Sequence, residues 1–213
     1  MSEYEQIIND IHIGIDAICA EFPMGYWREL DRQRAYPSEF VEKLTRTGFL
    51  AALIPTEFGG SEISLRAALE ILKRIHYNGA NAAACHAQMY IMGTLLKYGT
   101  PAQKQKYLPG IASGDIRLQA FGVTEPNSGT DTLSLTTFAK KTDSGYLING
   151  QKIWTSRAEY SDLLMLLART TPIEQVTKKT DGLSVFLIDL SSGIFCFNSI
   201  LFLILSRNPI QGL

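Results

Sequence analysis

The chain has 213 residues, 46% of them apolar, with 20 basic against 21 acidic side chains and a net charge of −1. That length allows one large domain or two small ones around cores of ordinary size, and the charge balance gives no electrostatic basis for binding nucleic acid or an acidic membrane. Three widely spaced cysteines, Cys19, Cys85 and Cys196, fit neither a metal knuckle nor a disulfide framework, so Cys19 and Cys85 are read as buried thiols in a reducing compartment.

In chain order, the first half has helical periodicity. Ile7, Ile11, Ile15, Ile18 and Phe22 form one stripe that Pro23 ends. A second helix starts at Pro37, turns Phe40, Val41 and Leu44 inward and stops at Gly48. Residues 49–54 are a short apolar stretch, and Thr56-Glu57-Phe58-Gly59-Gly60 reads as a loop. A third helix is expected over 64–76, with Leu65, Leu69, Leu72 and Ile75 inward, and a fourth over 81–97, with Cys85, Met89, Met92 and Leu96 on one face. Thr100, Pro101 and Gln103 then supply an N-cap, a first-turn proline and a capping-box partner for a helix ending near Gly110.

After Gly114 the period changes to alternation. Residues 133–139 alternate as a strand, and Asp143-Ser144-Gly145 is a turn. Asn149-Gly150, between Tyr146-Leu147-Ile148 and Gln151-Lys152-Ile153-Trp154, carries a two-residue hairpin signal. Residues 163–168 and 183–190 read as more buried strands, and residues 170–181 as a solvated loop. The expected fold class is α+β: an N-terminal helical domain over 1–114, a small antiparallel β-sandwich or barrel-like domain over 115–192, and an apolar tail over 193–213. The longest apolar run, residues 194–205, falls short of a bilayer span. The acidic start lacks the features of a signal or transit peptide, and no glycosylation sequon occurs. The expected compartment is cytoplasmic, or the mitochondrial matrix in a eukaryote.

Two segments carry chemistry. Phe121-Gly122-Val123-Thr124-Glu125-Pro126-Asn127-Ser128-Gly129-Thr130-Asp131 sets hydroxyls around a turn, and Gly129 lets a backbone N–H approach a ligand without an intervening Cβ. Further on, Asn149-Gly150-Gln151-Lys152-Ile153-Trp154-Thr155-Ser156 places an aromatic plate beside two hydroxyls. Strand alternation would put Trp154 and Ser156 on one face. On residue chemistry alone the first segment is as much a loop of any β protein, the tryptophan a core side chain, and Glu125 and Asp131 solvated turn carboxylates. His12, His76 and His86 have no metal-binding spacing, and no nucleophile triad, phosphate loop or dinucleotide fingerprint is present.

In this order and spacing the two segments resemble the flavin-binding signature of the acyl-CoA dehydrogenase family. The likeness extends over residues 1–190: Ile54-Pro55-Thr56-Glu57-Phe58-Gly59-Gly60 is similar to that family's Pro-Glu-Glu-Tyr-Gly-Gly loop, and the run from Tyr98 to Pro109 to the segment before its middle domain. The resemblance implies FAD as cofactor. It implies that Phe121, Val123 and Thr124 line the flavin ring, that Gly129 and Thr130 sit where cofactor and thioester meet, with Thr130 also contacting substrate, and that Trp154, Thr155 and Ser156 lie against the flavin, with Ser156 towards N5. Asn127 and Thr130 stand where the family often has Gly and Ser.

The implied reaction is α,β-dehydrogenation of an acyl-CoA thioester: a carboxylate takes the α-proton and hydride leaves to flavin N5. Implied partners are an electron-transfer flavoprotein or similar acceptor and further copies of the chain, as homodimer or homotetramer. In most of the family the base is a Glu of a C-terminal helical domain that no residue of this sequence matches, so no catalytic residue is assigned. Residues 193–213 resemble nothing in the family. The expectation is therefore a truncated chain, inactive by itself. The alternatives are a non-catalytic interaction fragment and a relative with oxidase or monooxygenase chemistry.

Overall fold

The computed structural model describes residues 2–143, 145–190 and 211–212. They divide between two compact units, Met1–Ile116 and Arg117–Leu213. The first is helical and the second is built on a sheet, the α+β arrangement expected from the change of period.

The first unit contains α1 (Glu3–Glu21), α2 (Met24–Gln33), α3 (Ser38–Arg46), α4 (Leu65–Tyr77), α5 (Ala83–Tyr98) and α6 (Pro101–Ser113). Its ends follow local chemistry. Ser2 and Glu5 form a capping box on α1, and Thr100 and Gln103 form the expected one on α6, with Gln103 N donating to Thr100 Oγ1 at 3.2 Å and Thr100 N to Gln103 Oε1 at 2.8 Å. Ile11, Ile15 and Ile18 of α1 are buried with Phe40, Val41 and Leu44 of α3. An ion pair joins α1 to α4: Arg74 Nε donates to Asp16 Oδ1 at 2.6 Å, and Asn78 Nδ2 donates to the same oxygen at 2.8 Å. The Arg74 hydrogen bond holds the Asp16 carboxyl at about 2, against the opposing effect of burial.

Three helical expectations are corrected. Helix α2 has no buried residue, so no apolar stripe marks it, and only Trp27 and Tyr26 reach the edge-to-face cluster around Phe22 and Phe40. On α4 the inward face is Ala67, Ala68, Ile71 and Ile75, whereas Leu65 and Leu69 are more than half exposed. Small alanines face the core here, which hydrophobicity alone does not signal. Helix α6 runs on to Ser113 and not to Gly110. Helix α5 buries residues around much of its circumference, Ala84, Ala87, Gln88, Ile91 and Leu95 as well as Cys85, Met89 and Met92, as a central helix does.

Between α3 and α4, Gly60 lies against backbone. A Cβ there would come within 2.0 Å of Ile54 O. Gly60→Ala is therefore expected to cost about 1–3 kcal/mol through forced backbone movement. Gly25→Ala, where an added Cβ meets nothing within 4 Å on helix α2, should stabilise by up to about 1 kcal/mol. Denaturant melts of the two variants check the opposite signs.

The second unit contains β1 (Ala120–Gly122), β2 (Phe138–Thr142), β3 (Gly145–Asn149), β4 (Leu163–Arg169), β5 (Leu183–Asp189) and β6 (Gln211–Gly212). They form one sheet in the order β3-β2-β4-β5-β6, with β1 also on β4. Strand β4 is the axis: it runs antiparallel to β5 from Leu163↔Asp189 to Arg169↔Leu183 and parallel to β1 at Ala120↔Leu164. It meets β2 in parallel at Phe138↔Arg169, so the sheet is mixed and not wholly antiparallel. Burial of Leu163, Leu164, Met165, Leu166 and Ala168 explains why β4 reads as a continuous apolar run.

The hairpin is displaced from its expected turn. Strands β2 and β3 close at Thr142↔Gly145, and Asn149 pairs with Phe138 at the far end of β3. Asn149-Gly150 is where the chain leaves the sheet. The strand expected over 133–139 begins only at Phe138, after a 3₁₀ turn at Thr132–Ser134. The apolar run 194–205 and Cys196 lie outside the described residues. No helix among the described residues is long and apolar enough to cross a membrane.

Candidate functional site

The site is built around an ion pair that the sequence reading missed. Glu125, expected to be a solvated turn carboxylate, is 2% exposed, and Lys152 is 3% exposed. Lys152 Nζ donates to Glu125 Oε1 at 2.8 Å and to Val123 O at 2.9 Å. Glu125 also accepts from Thr136 N at 2.6 Å, Thr136 Oγ1 at 2.8 Å and Thr137 N at 2.9 Å. Burial would raise the Glu125 carboxyl. The hydrogen bonds from Lys152 and the Thr136–Thr137 segment outweigh it and hold the group at about 2. Burial pushes Lys152 down and Glu125 opposes that shift. With donors on both oxygens, Glu125 is fixed as a carboxylate.

These bonds explain the missing strand at 133–137. The N–H groups of Thr136 and Thr137 are turned to a carboxylate instead of a ladder, so alternate burial of Leu135 and Thr137 persists without strand pairing. They also explain Gly150. A Cβ there would lie 2.3 Å from Thr137 Oγ1, so only glycine passes the Glu125 ligand Thr137 on the way to Lys152.

The same contacts bring the two sequence segments together. Ile153 N donates to Thr124 O at 2.8 Å, beside the Lys152–Val123 bond. Val123 and Thr124 therefore adjoin Ile153 and Trp154. Phe121 belongs to β1, opposite Met165. Gly129 and Thr130 are exposed just after the turn that the Glu125↔Ser128 bridge closes, with Thr132 Oγ1 donating to Gly129 O at 3.3 Å. Asp131 accepts at its carboxylate from Ser134 Oγ and at its carbonyl from Ser128 Oγ at 2.7 Å.

Residues 150–155 form no strand, so alternation does not order Trp154 and Ser156. Trp154 instead has φ +59° and is 85% exposed; Arg157 follows at φ +61°. Ser156 is exposed, and Thr155 is half-buried with its Oγ1 enclosed and without a hydrogen-bond partner. An outward aromatic plate, an enclosed hydroxyl without a partner and an open turn at Gly129, where a Cβ would meet nothing within 4 Å, fit a flat ligand with a polar edge. Among the described residues, no cluster of three or more His, Cys, Asp or Glu could hold a metal ion.

The acyl-CoA dehydrogenase N-terminal domain matches residues 13–115, and the acyl-CoA dehydrogenase middle domain matches residues 120–197. The chain belongs to the acyl-CoA dehydrogenase family. It is similar to the acyl-CoA dehydrogenase FadE26 of Mycobacterium tuberculosis, 33% identical over 162 residues, which cover 76% of this chain and 40% of that protein. It is also similar to a 3-(aryl)acrylate reductase of Clostridium sporogenes, 32% identical over 163 residues, 76% of this chain and 42% of that one. The chain thus spans about two fifths of the length of these curated relatives. A solved glutaryl-coenzyme A dehydrogenase in complex with glutaryl-CoA shares the fold at a TM-score of 0.80 and 24% identity, over 100% of this chain and 57% of that one.

Removing one partner of the buried pair leaves an unpaired ion, so Lys152→Met should destabilise the second unit by about 3–5 kcal/mol, and Glu125→Gln/Lys152→Met should recover part of the loss by removing the stranded charge. Urea melts followed by β-sheet circular dichroism decide this. Because the folded Glu125 carboxyl lies below its ordinary 4.5, its contribution is complete above pH 4.5 and is lost as pH falls towards 2. The double variant should show a shallower acid dependence across that window than the wild type.

Proposed function

We propose that the second unit carries the flavin-facing surface of an acyl-CoA dehydrogenase, the α,β-dehydrogenation of an acyl-CoA thioester being the activity of the assembled enzyme. The observation that carries this reading is the junction of Val123–Thr124 with Lys152–Ile153, which brings the two segments together next to an exposed Trp154. The bound FAD would supply a hydride acceptor at N5. Phe121 and Val123 offer apolar surface, and Thr124, Thr155 and Ser156 offer hydroxyls for a polar ring edge. Trp154 presents a flat face. Gly129 and Thr130 offer an unobstructed turn to the thioester side, with Thr130 as the substrate contact. The electron acceptor is read as an electron-transfer flavoprotein or similar protein, and the assembly as a homodimer or homotetramer.

Within residues 1–213 no carboxylate is assigned the role of base. Glu125 is excluded because its oxygens are occupied by four donors and its side chain is enclosed. A polypeptide of these residues alone is therefore expected to dehydrogenate slowly, lacking the roughly 10²–10⁴-fold that general base catalysis supplies. The alternative of a non-catalytic interaction fragment shares that expectation and differs in retaining no flavin.

Anaerobic titration with acyl-CoA substrates of graded chain length tests this. Visible flavin absorbance in the purified protein, with little bleaching by substrate, is the expected result. Rapid bleaching would place a base within residues 1–213, and absence of flavin under saturating FAD would remove the cofactor reading.

A further inference from the structure

Trp154 combines two properties that are rarely found together. Its backbone is in the left-handed region at φ +59°, a conformation that strains a bulky L-residue. Yet its indole is 85% exposed, so burial within this chain does not offset the cost. Such a conformation persists only where the neighbouring chain fixes it.

The fixing contacts lie on both sides. On the N-terminal side, Lys152 is anchored to Glu125 and Val123 O, and Ile153 N to Thr124 O. On the C-terminal side, Ser161 Oγ donates to Arg157 O at 2.9 Å, and Ala158 is buried in the sheet's core. The N-terminal anchor is the stronger, because an ion pair this enclosed cannot part without leaving a charge unpaired.

We propose that Glu125 and Lys152 are a positioning pair for the cofactor surface, their ion pair holding Trp154 in its left-handed, outward conformation so that the indole is presented as a fixed plate to a planar ring. The pair touches neither substrate nor cofactor; it acts through Trp154. This rests on the flavin reading for the identity of the ring, but the mechanical claim about Trp154 stands apart from it. Pre-setting the plate spares the ligand the entropy of ordering it, so loosening the pair weakens binding without removing a contact.

The test uses the chain with Trp27→Phe, which leaves Trp154 as its only tryptophan. In that background Glu125→Gln/Lys152→Met removes both charges while keeping side-chain volume. Two signals are read: the fluorescence anisotropy decay of Trp154 without ligand, and quenching of its emission by added FAD. The expected result, at unchanged circular dichroism, is faster indole motion and a FAD midpoint about tenfold weaker in the double variant. Unchanged anisotropy in a folded double variant overturns the proposal, as does an unchanged FAD midpoint where the parent binds FAD. A parent that FAD does not quench sinks the flavin reading alone, and the anisotropy still judges the pair.

A second comparison stands even if the double variant fails to fold. Trp154→Gly relieves a left-handed backbone, whereas Trp154→Ala does not. The glycine variant should melt a few degrees above the alanine variant. An equal or lower melting temperature would mean that no strain is held at Trp154, and the proposal fails.

Discussion

A carboxylate and an ammonium group removed from water must satisfy each other, and the second unit is organised around that requirement. Glu125 collects donors from Lys152, Thr136 and Thr137, and Lys152 adds the carbonyl of Val123. Three stretches of chain, residues 123–125, 136–137 and Lys152, are tied at one point. None can shift alone without stranding a buried charge, at a cost of several kcal/mol. The pair is a weak source of net stability for the same reason, since much of its attraction is spent on desolvation. Its effect is on which geometry the loops adopt.

That effect reaches beyond the pair. The backbone donors of Thr136 and Thr137 face the carboxylate, so β2 starts late, and the chain beyond β3 departs from the sheet past Thr137 through a glycine that tolerates the contact. The sheet is conventional, with β4 buried on both faces and paired with β5 along its full length. The candidate site residues sit on the irregular segments that the rigid sheet carries, as binding residues commonly do. Arg169 shows the same economy of backbone groups: nearly buried, it donates to the carbonyls of Leu133 and Lys179 and so secures the loop that the sequence marks only as polar.

The helical unit rests on different physics. Its core is apolar packing around α1, α3, α4 and α5, and the Asp16–Arg74 contact is a partly exposed clamp on the α1–α4 seam. Exposed pairs of this kind contribute little once solvent screening is counted. Apolar burial and the capped helix ends therefore carry this unit, which is why its periodicity is readable at all.

Much of the fold follows from local rules that a sequence states directly. Capping at Thr100 and Gln103, the stripe through Ile11, Ile15 and Ile18, and the apolar run of β4 are set by neighbours within a turn or two, and hydrophobicity reports them. Family membership was legible too, because the two segments keep their residue types and spacing. The sequence is silent where a residue's role depends on a distant partner. Nothing within ten positions of Glu125 indicates that Lys152 will meet it. The same is true of the Thr136 and Thr137 N–H groups, which forgo a strand for that carboxylate, and of the left-handed backbone of Trp154. Nor does local hydrophobicity separate the alanine face of α4 from its leucines. Periodicity records how one segment meets water, whereas a buried charge, an orphaned donor or a strained backbone is decided by what the folded chain brings against it.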